Sequence, residues 1–334
     1  MNARWGTIAF VIITTVLLAP AAVEARDREG RSGHTDTTIA VNPGTRLELN
    51  NFAGGVVVKT WPKHAVRVEA IHSRRVKVDV QGSALQGGAR FVSVRGRSRG
   101  VPTNVDYTLT VPPWLVLDLS GVSTDISVDG IEGELKAETV QGDIDVRGGA
   151  KFVSLGSVGG EIALSQAEGR IEIRSVNQEI RLDDVKGDVV AETVSGNIQL
   201  GRVVSKSVKV STINGEIVYI GTLESGGAYE MSSHNGDIVV AIPEKANLTV
   251  TVASFAGEFS STFPVRVTQT RKNGFVFTLG NGSGRLDLES FQGNIRLARA
   301  AQITALGDHQ TPKPGFKFQF GANAEQTGDP EEEE

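Results

Sequence analysis

Gly133, Gly142, Gly160, Gly169, Gly187 and Gly196 are all separated by multiples of nine residues. Most open a short unit in which a polar residue and then Ile, Val or Leu follow, as in Gly142-Asp143-Ile144 and Gly196-Asn197-Ile198. Lys151 and Gln178 hold the two skipped beats, and Gln178 still lies in an aligned unit, Asn177-Gln178-Glu179-Ile180. Alternate units are the most alike. Those beginning at Thr139, Ser157, Ser175 and Thr193 start 18 residues apart, so the repeat reads as two nines, one turn of a coil. A chain built this way must bury each unit against its neighbours, because no unit can bury its own apolar row.

Within a unit the apolar positions alternate. Val194, Gly196, Ile198 and Leu200 share one parity, as do Val176, Gln178, Ile180 and Leu182, and this is read as the buried face of a strand. Nine is odd, so each unit needs a corner that resets the parity. β-Branched residues dominate and no helical spacing is sustained. Later copies begin at Thr212, Ser233, Ser254 and Ser290, with spacings of 19, 21, 21 and 36 that are read as insertions at corners or loops. The expectation is an all-β chain, a β-solenoid over residues 120–298, with glycine at the third inward position letting the backbone bend or approach the opposite wall. An antiparallel sandwich is the competitor, since meanders show similar spacing.

The rest of the chain divides around this block. Residues 37–119 alternate without the nine-residue beat and are punctuated by Pro62, Pro102 and Pro112-Pro113, which predicts an irregular β cap over the first coil. Residues 1–25 hold Arg4, an apolar run from Ile8 to Ala19, and Val23-Glu24-Ala25, the pattern of a signal peptide cleaved after Ala25. The run is short for a membrane span, and no later segment is apolar enough to provide one. Residues 26–36 read as a polar linker, 299–322 as a C-terminal segment, and 323–334 as a disordered acidic tail. The expected location is outside the cytoplasm: the periplasm first, the cell surface or medium second. The chain has no cysteine, which removes disulfides, thiol nucleophiles and thiolate metal sites.

The formal charge of −5 hides an asymmetry. Residues 26–100 carry 14 Lys/Arg against 6 Asp/Glu, while residues 101–322 carry 19 against 26. Arg74, Arg75 and Lys77, with Arg95, Arg97 and Arg99, form the candidate contact for an anionic ligand such as a lipid headgroup or an envelope glycan. The other reading is a set of solvated strand edges and turn tips. Nucleic acid is not an expected partner, because export separates the chain from it and stacking aromatics are few.

Val105-Asp-Tyr-Thr-Leu-Thr-Val-Pro-Pro, Leu117-Asp-Leu-Ser-Gly and the repeated Thr/Ser-Val-x-Gly-Asp-Ile units resemble the putative-adhesin family of bacterial β-strand-repeat proteins, the DUF4097 group. The similarity covers roughly residues 40–298. It implies a right-handed, single-stranded β-helix-like fold on an exported or envelope protein, and it brings no catalytic residues with it.

Other chemistry finds little footing. Gly-Asp pairs at 142–143, 187–188 and 236–237 lack the preceding glycines of calcium-binding nonapeptides. Gly96-Arg97-Ser98-Arg99-Gly100 matches a nucleophile elbow but runs into Val101-Pro102, not a helix. His64 and His72, the nearest histidines, are placed on neighbouring strands, and no metal is assigned to them. Gly280-Asn-Gly-Ser-Gly284 reads as a hairpin turn. Asp143, Asp145, Glu161, Glu179 and Asn197 are read as an outward polar column, and stacked coils bring carboxylates to the separations glycosidases use. No catalytic residue, cofactor or metal is assigned. The functional expectation is therefore a non-catalytic, adhesin-like or scaffold protein of the bacterial envelope that binds a glycan, a lipid headgroup or an envelope protein through its surface. The alternatives are an envelope-stress or signalling component docking another envelope protein, and a carbohydrate-active enzyme, which a groove of convergent acids, Arg and an aromatic would favour.

Overall fold

The structure is a computed structural model that describes residues 32–84, 90–98, 104–271, 273–300, 316–320 and 326–327. Its named elements are all β-strands, joined in one sheet. Among the described residues no helix is long and apolar enough to cross a membrane. The signal peptide read at 1–25 lies outside the described residues, as does all of the acidic tail except Gln326-Thr327.

The 18-residue period becomes two parallel ladders. In the first, Leu135–Thr139 pairs with Ala150–Ser157, which pairs with Glu168–Ser175, with Val153 opposite both Leu135 and Ile171. Val189–Ser195 continues it. In the second, Ile162–Ser165 lies between Ile144–Gly148 and Ile180–Asp183, and Ile162 faces Ile144 and Ile180. Each 18-residue unit therefore lays one strand on each ladder, and the Val, Ile and Leu rows meet inside, where Ile171, Ile180 and Ile198 are fully buried. Stacking identical rows at the inter-strand spacing removes apolar surface from water at every layer.

The corner between the ladders differs from the expected parity. Ile180, Leu182, Ile198 and Leu200 are buried, but Val176 and Val194 are exposed, at 37% and 41%. The inward residue is the preceding Ser175 or Thr193, at 5% and 6%. A hydroxyl suits that place because the turning backbone leaves polar groups without ladder partners. Ser157 Oγ donates to Gly142 O at 3.2 Å and accepts from Gly160 N at 2.9 Å. Ser233 and Ser290 donate to Gly215 O and Gly236 O, at 3.1 and 3.2 Å. Glycine then follows because consecutive layers touch there. A Cβ on Gly160 would sit 1.8 Å from Gly142 O, and one on Gly215 2.0 Å from Gly196 O. The close approach is to the layer below, not to the opposite wall.

The layers are not stacked in chain order at either end. Arg46–Thr60 lies directly against Val116–Ile131, with Arg46 opposite Val116 and Val56 opposite Ile126, so the regular register extends into the segment expected to be an irregular cap. The expected boundary at 119/120 falls inside that second strand. At the other end Ile217–Asn235 pairs with Gly284–Gln292, and Leu248–Ser261 stacks beyond them. The 36-residue spacing is thus a displaced layer rather than a loop insertion. Gly280–Gly284 is not a hairpin turn either: Gly274–Leu279 and Gly284–Gln292 flank Leu248–Ser261 on opposite sides. The connection passes over the start of that strand, where Asn247 Oδ1 accepts from Asn281 N at 3.0 Å and Asn247 O from Gly284 N at 2.9 Å.

Antiparallel strands finish both ends. Val76–Ala84 and Ala65–Ser73 cover the N-terminal end of the two ladders, and Ser32–Ala40 adds to the latter. Ser32–Ala40 begins inside the segment read as a polar linker, with alternate residues half-buried against its neighbour. At the C-terminal end Gly274–Leu279 and Phe316–Phe320 do the same, around Phe259, Phe275, Phe277 and Phe316. Changing strand direction puts a different hydrogen-bonding pattern on the last edge, which discourages further stacking in register.

Candidate interaction surfaces

The cations singled out in the sequence divide into two places. Arg74 and Arg75 form the exposed turn between Ala65–Ser73 and Val76–Ala84. Lys77 lies opposite Arg97, and Asp79 opposite Arg95, on the antiparallel pair Val76–Ala84 and Arg90–Ser98. This brings Lys77, Arg95 and Arg97 onto one outward face. Carboxylates share it: Asp79 meets Lys77 and Arg97, both at 3.3 Å, and Glu48 meets Arg95 at 3.0 Å. Hydrogen bonds from Asn50 and then Arg95 hold the Glu48 carboxyl below its usual range. Arg99 lies outside the described residues. The face is therefore only mildly cationic, with Arg74 and Arg75 at its rim.

The residues considered for other chemistry have structural partners. His72 does not lie on a strand neighbouring His64: both belong to one stretch, His64 just before Ala65–Ser73 and His72 within it. The His72 ring bonds Thr35 Oγ1 and Ser73 O, each at 2.9 Å, and His64 packs edge-on against Trp114. In the polar column, Asp143 Oδ1 accepts from Glu161 N at 2.9 Å and Asn197 Oδ1 from Glu216 N at 2.9 Å. These side chains cap the next layer's backbone. Asp145 belongs to a neighbouring column, opposite Ser127 and Ala163.

At the second corner a cleft of about 470 Å³ opens where the strand Val116–Ile131 slips register between Asp129 and Ile131. Its lining holds Asp129, Glu132 and Glu168, with Arg147 Nε donating to Gln166 Oε1 at 3.0 Å. The lining has acids and an Arg but no aromatic side chain.

The largest feature is one that the sequence reading missed. The exposed valines of the first corner, Val122, Val140, Val158, Val176 and Val194, stand one above another, each layer tied to the last by bonds such as Gly159 N to Val140 O at 2.9 Å. Phe52 extends the row at one end, between Asn51 and Ala53, which face Gly121 and Ser123 on either side of Val122. Ile213, His234, Phe291 and Phe255 extend it at the other. The rings of His234 and Phe255 stack on the two faces of Phe291 at 4.7 and 4.9 Å, the spacing of the strands themselves. Phe255 remains 56% exposed. Ten side chains thus form one unbroken row, roughly 40 Å long at the inter-strand spacing. The signal is the residue after each corner Thr or Ser, apolar at nearly every copy, which strand alternation alone places in the core.

Known proteins bear on this arrangement in three ways. The family described as Toastrack DUF4097 matches residues 150–298, the heart of both ladders and of the row. Among solved structures, the chain is similar to a putative cell adhesion protein from Clostridium sporogenes, at 12% identity over 80% of this chain and 100% of that one, with a TM-score of 0.22. Putative adhesins from Parabacteroides merdae and Parabacteroides distasonis share 10% and 8% identity, over 81% and 79% of this chain and 98% and 97% of theirs, with TM-scores of 0.30 and 0.24. Overlap this low carries no argument about activity. No curated protein matches the sequence.

Proposed function

We propose, taking as premise that residues 150–298 carry the Toastrack DUF4097 repeat, that this is an exported, non-catalytic protein of the bacterial envelope that works by surface contact. In this reading the coil is the right-handed β-helix that the family resemblance implies. The leader at 1–25 directs export, with the periplasm as destination. The observation that carries the reading is the apolar row. Soluble proteins seldom leave so long a contiguous apolar strip uncovered, and such strips mark surfaces that meet something else. Affinity would come from many modest contacts repeated along the row.

The test is a binding screen of the protein, purified after expression with its own leader, against envelope glycans, anionic vesicles and defined envelope proteins. Saturable binding that is lost in Phe255→Ser/Phe291→Ser and kept in Arg74→Ser/Arg75→Ser supports the row as the docking edge. The reverse pattern supports the signalling alternative, with docking through the cationic face at the N-terminal end. Turnover of an envelope polysaccharide, abolished by Glu132→Gln or Glu168→Gln, would replace both with the enzyme reading centred on the second-corner cleft.

A further inference from the structure

We propose that the apolar row is where two copies of this chain pair side by side, with their rows parallel and the two-fold axis running along them. This rests on the reading that the row is a docking edge and names its occupant. Size is the first argument. Nine exposed apolar side chains and His234, including three Phe at 50%, 56% and 40%, present on the order of several hundred Å², approaching the roughly 800 Å² per partner of a standard interface. Period is the second. The row repeats at the strand spacing, 4.7 and 4.9 Å at its ring stack. A helix with a pitch of about 5.4 Å drifts out of step within a few layers, whereas a second copy stays in step along the whole row.

Charge on the two flanks selects the orientation. On the second-ladder side, beyond a column of small and amide residues, stand Asp143, Glu161 and Glu216, which no ion pair joins among the described residues, while Glu179 of the same column meets Arg181 at 2.7 Å, so the flank is acidic on balance. On the first-ladder side the charges are balanced: Lys136 meets Glu138 at 3.0 Å and Arg174 meets Glu192 at 3.4 Å, with Gly156 between the two pairs and Ser211 beyond them. An axis perpendicular to the rows would set the acidic flank of each copy against the acidic flank of the other. An axis along the rows exchanges flanks, so each acidic column faces the balanced side. Like charges placed opposite each other are disfavoured, and the contact is isologous either way. The same acidic column repels an anionic bilayer, which makes a lipid surface the poorer occupant.

Sedimentation equilibrium of the protein, expressed with its own leader, is expected to give twice the chain mass. Phe255→Ser/Phe291→Ser and, independently, Val158→Asp are expected to give the chain mass with an unchanged β-sheet circular dichroism spectrum and a melting temperature that no longer depends on protein concentration. Because the chain has no cysteine, single substitutions report orientation. Val140→Cys, Val176→Cys and Ile213→Cys should each join to its own counterpart with a short thiol–thiol cross-linker. Self-joining only near the middle of the row, with Val140→Cys joining Ile213→Cys in mixtures, overturns the parallel arrangement. A wild-type monomer, or a dimer indifferent to both row variants, overturns the pairing. If the wild type is monomeric yet row variants lose envelope binding, the pairing fails while the docking edge stands. A dimer that binds nothing in the envelope fails the functional reading alone.

Discussion

Lys151 carries a φ of 66° at a beat where its counterparts Gly169 and Gly187 have φ of 115° and 111°. A side chain in that region costs on the order of 1 kcal/mol, part of which glycine returns through unfolded-state entropy. Lys151→Gly is therefore expected to raise stability by about 0.5–1 kcal/mol in urea melts. Gly187→Ala is expected to lower it by more than that, since its Cβ would lie 2.1 Å from Gly169 O. Tyr107 offers a second case. Its hydroxyl is buried without a partner among the described residues, and burial pushes the phenol up to about 12. Tyr107→Phe removes only an unpaired group, so stability should hold or rise by about 1 kcal/mol. The need for glycine was legible as a period. Why each one is needed was not, because the carbonyl it meets belongs to a residue about 18 positions away.

At the scale of an element, the corner is the unit that sets everything else. Ser157 both donates to and accepts from the turning backbone, whereas the Thr193 hydroxyl has no partner among the described residues. Ser157→Ala should cost about 1–2 kcal/mol and Thr193→Val close to nothing, a contrast that paired thermal melts would measure. Alternation revealed the strands and their period, but placing the parity reset needs to know which polar group the corner can satisfy. With the reset put before the corner Ser or Thr instead of after it, Val176 and Val194 turn inward on paper, and the exposed row disappears. The cationic face was likewise half legible: cross-strand pairing of Lys77 with Arg97 follows from antiparallel geometry, but Glu48 arrives from a strand more than 40 residues away. Glu48 also fixes a pH dependence. Its folded pKa is depressed, so its contribution is present above its ordinary value near 4.5 and is lost as pH falls through the lower folded value. Arg95→Ser should flatten that part of the acid limb of a stability-versus-pH curve. The effect is small because Arg95 is half-exposed.

For the whole molecule, the repeat implies that layers can be removed in register. Ser157 lies opposite Ser175, so deleting residues 158–175 joins two equivalent corners. The shortened chain is expected to fold, with a smaller denaturant m-value in proportion to the lost layer and an unchanged β-sheet circular dichroism shape. A deletion shifted to remove nine residues would exchange the two ladders and is expected to leave an aggregated product. Removing Phe316–Phe320 should do the same at one end, by exposing the edge of Leu248–Ser261 and the Phe259 and Phe275 rings.

The displaced outer layers carry a consequence for how the chain is made. Synthesis delivers the N-terminus first, yet Arg46–Thr60 cannot meet one of its two neighbours until Val116–Ile131 has emerged, and Ile217–Asn235 waits in the same way for Gly284–Gln292. Each waiting edge is a template for the wrong strand during that interval. The reward comes at completion. A simple stack of coils can peel from its tip one turn at a time, but here the tip strand is threaded between layers of later sequence. A pull on either terminus therefore has to dislodge several turns together before any one of them comes free.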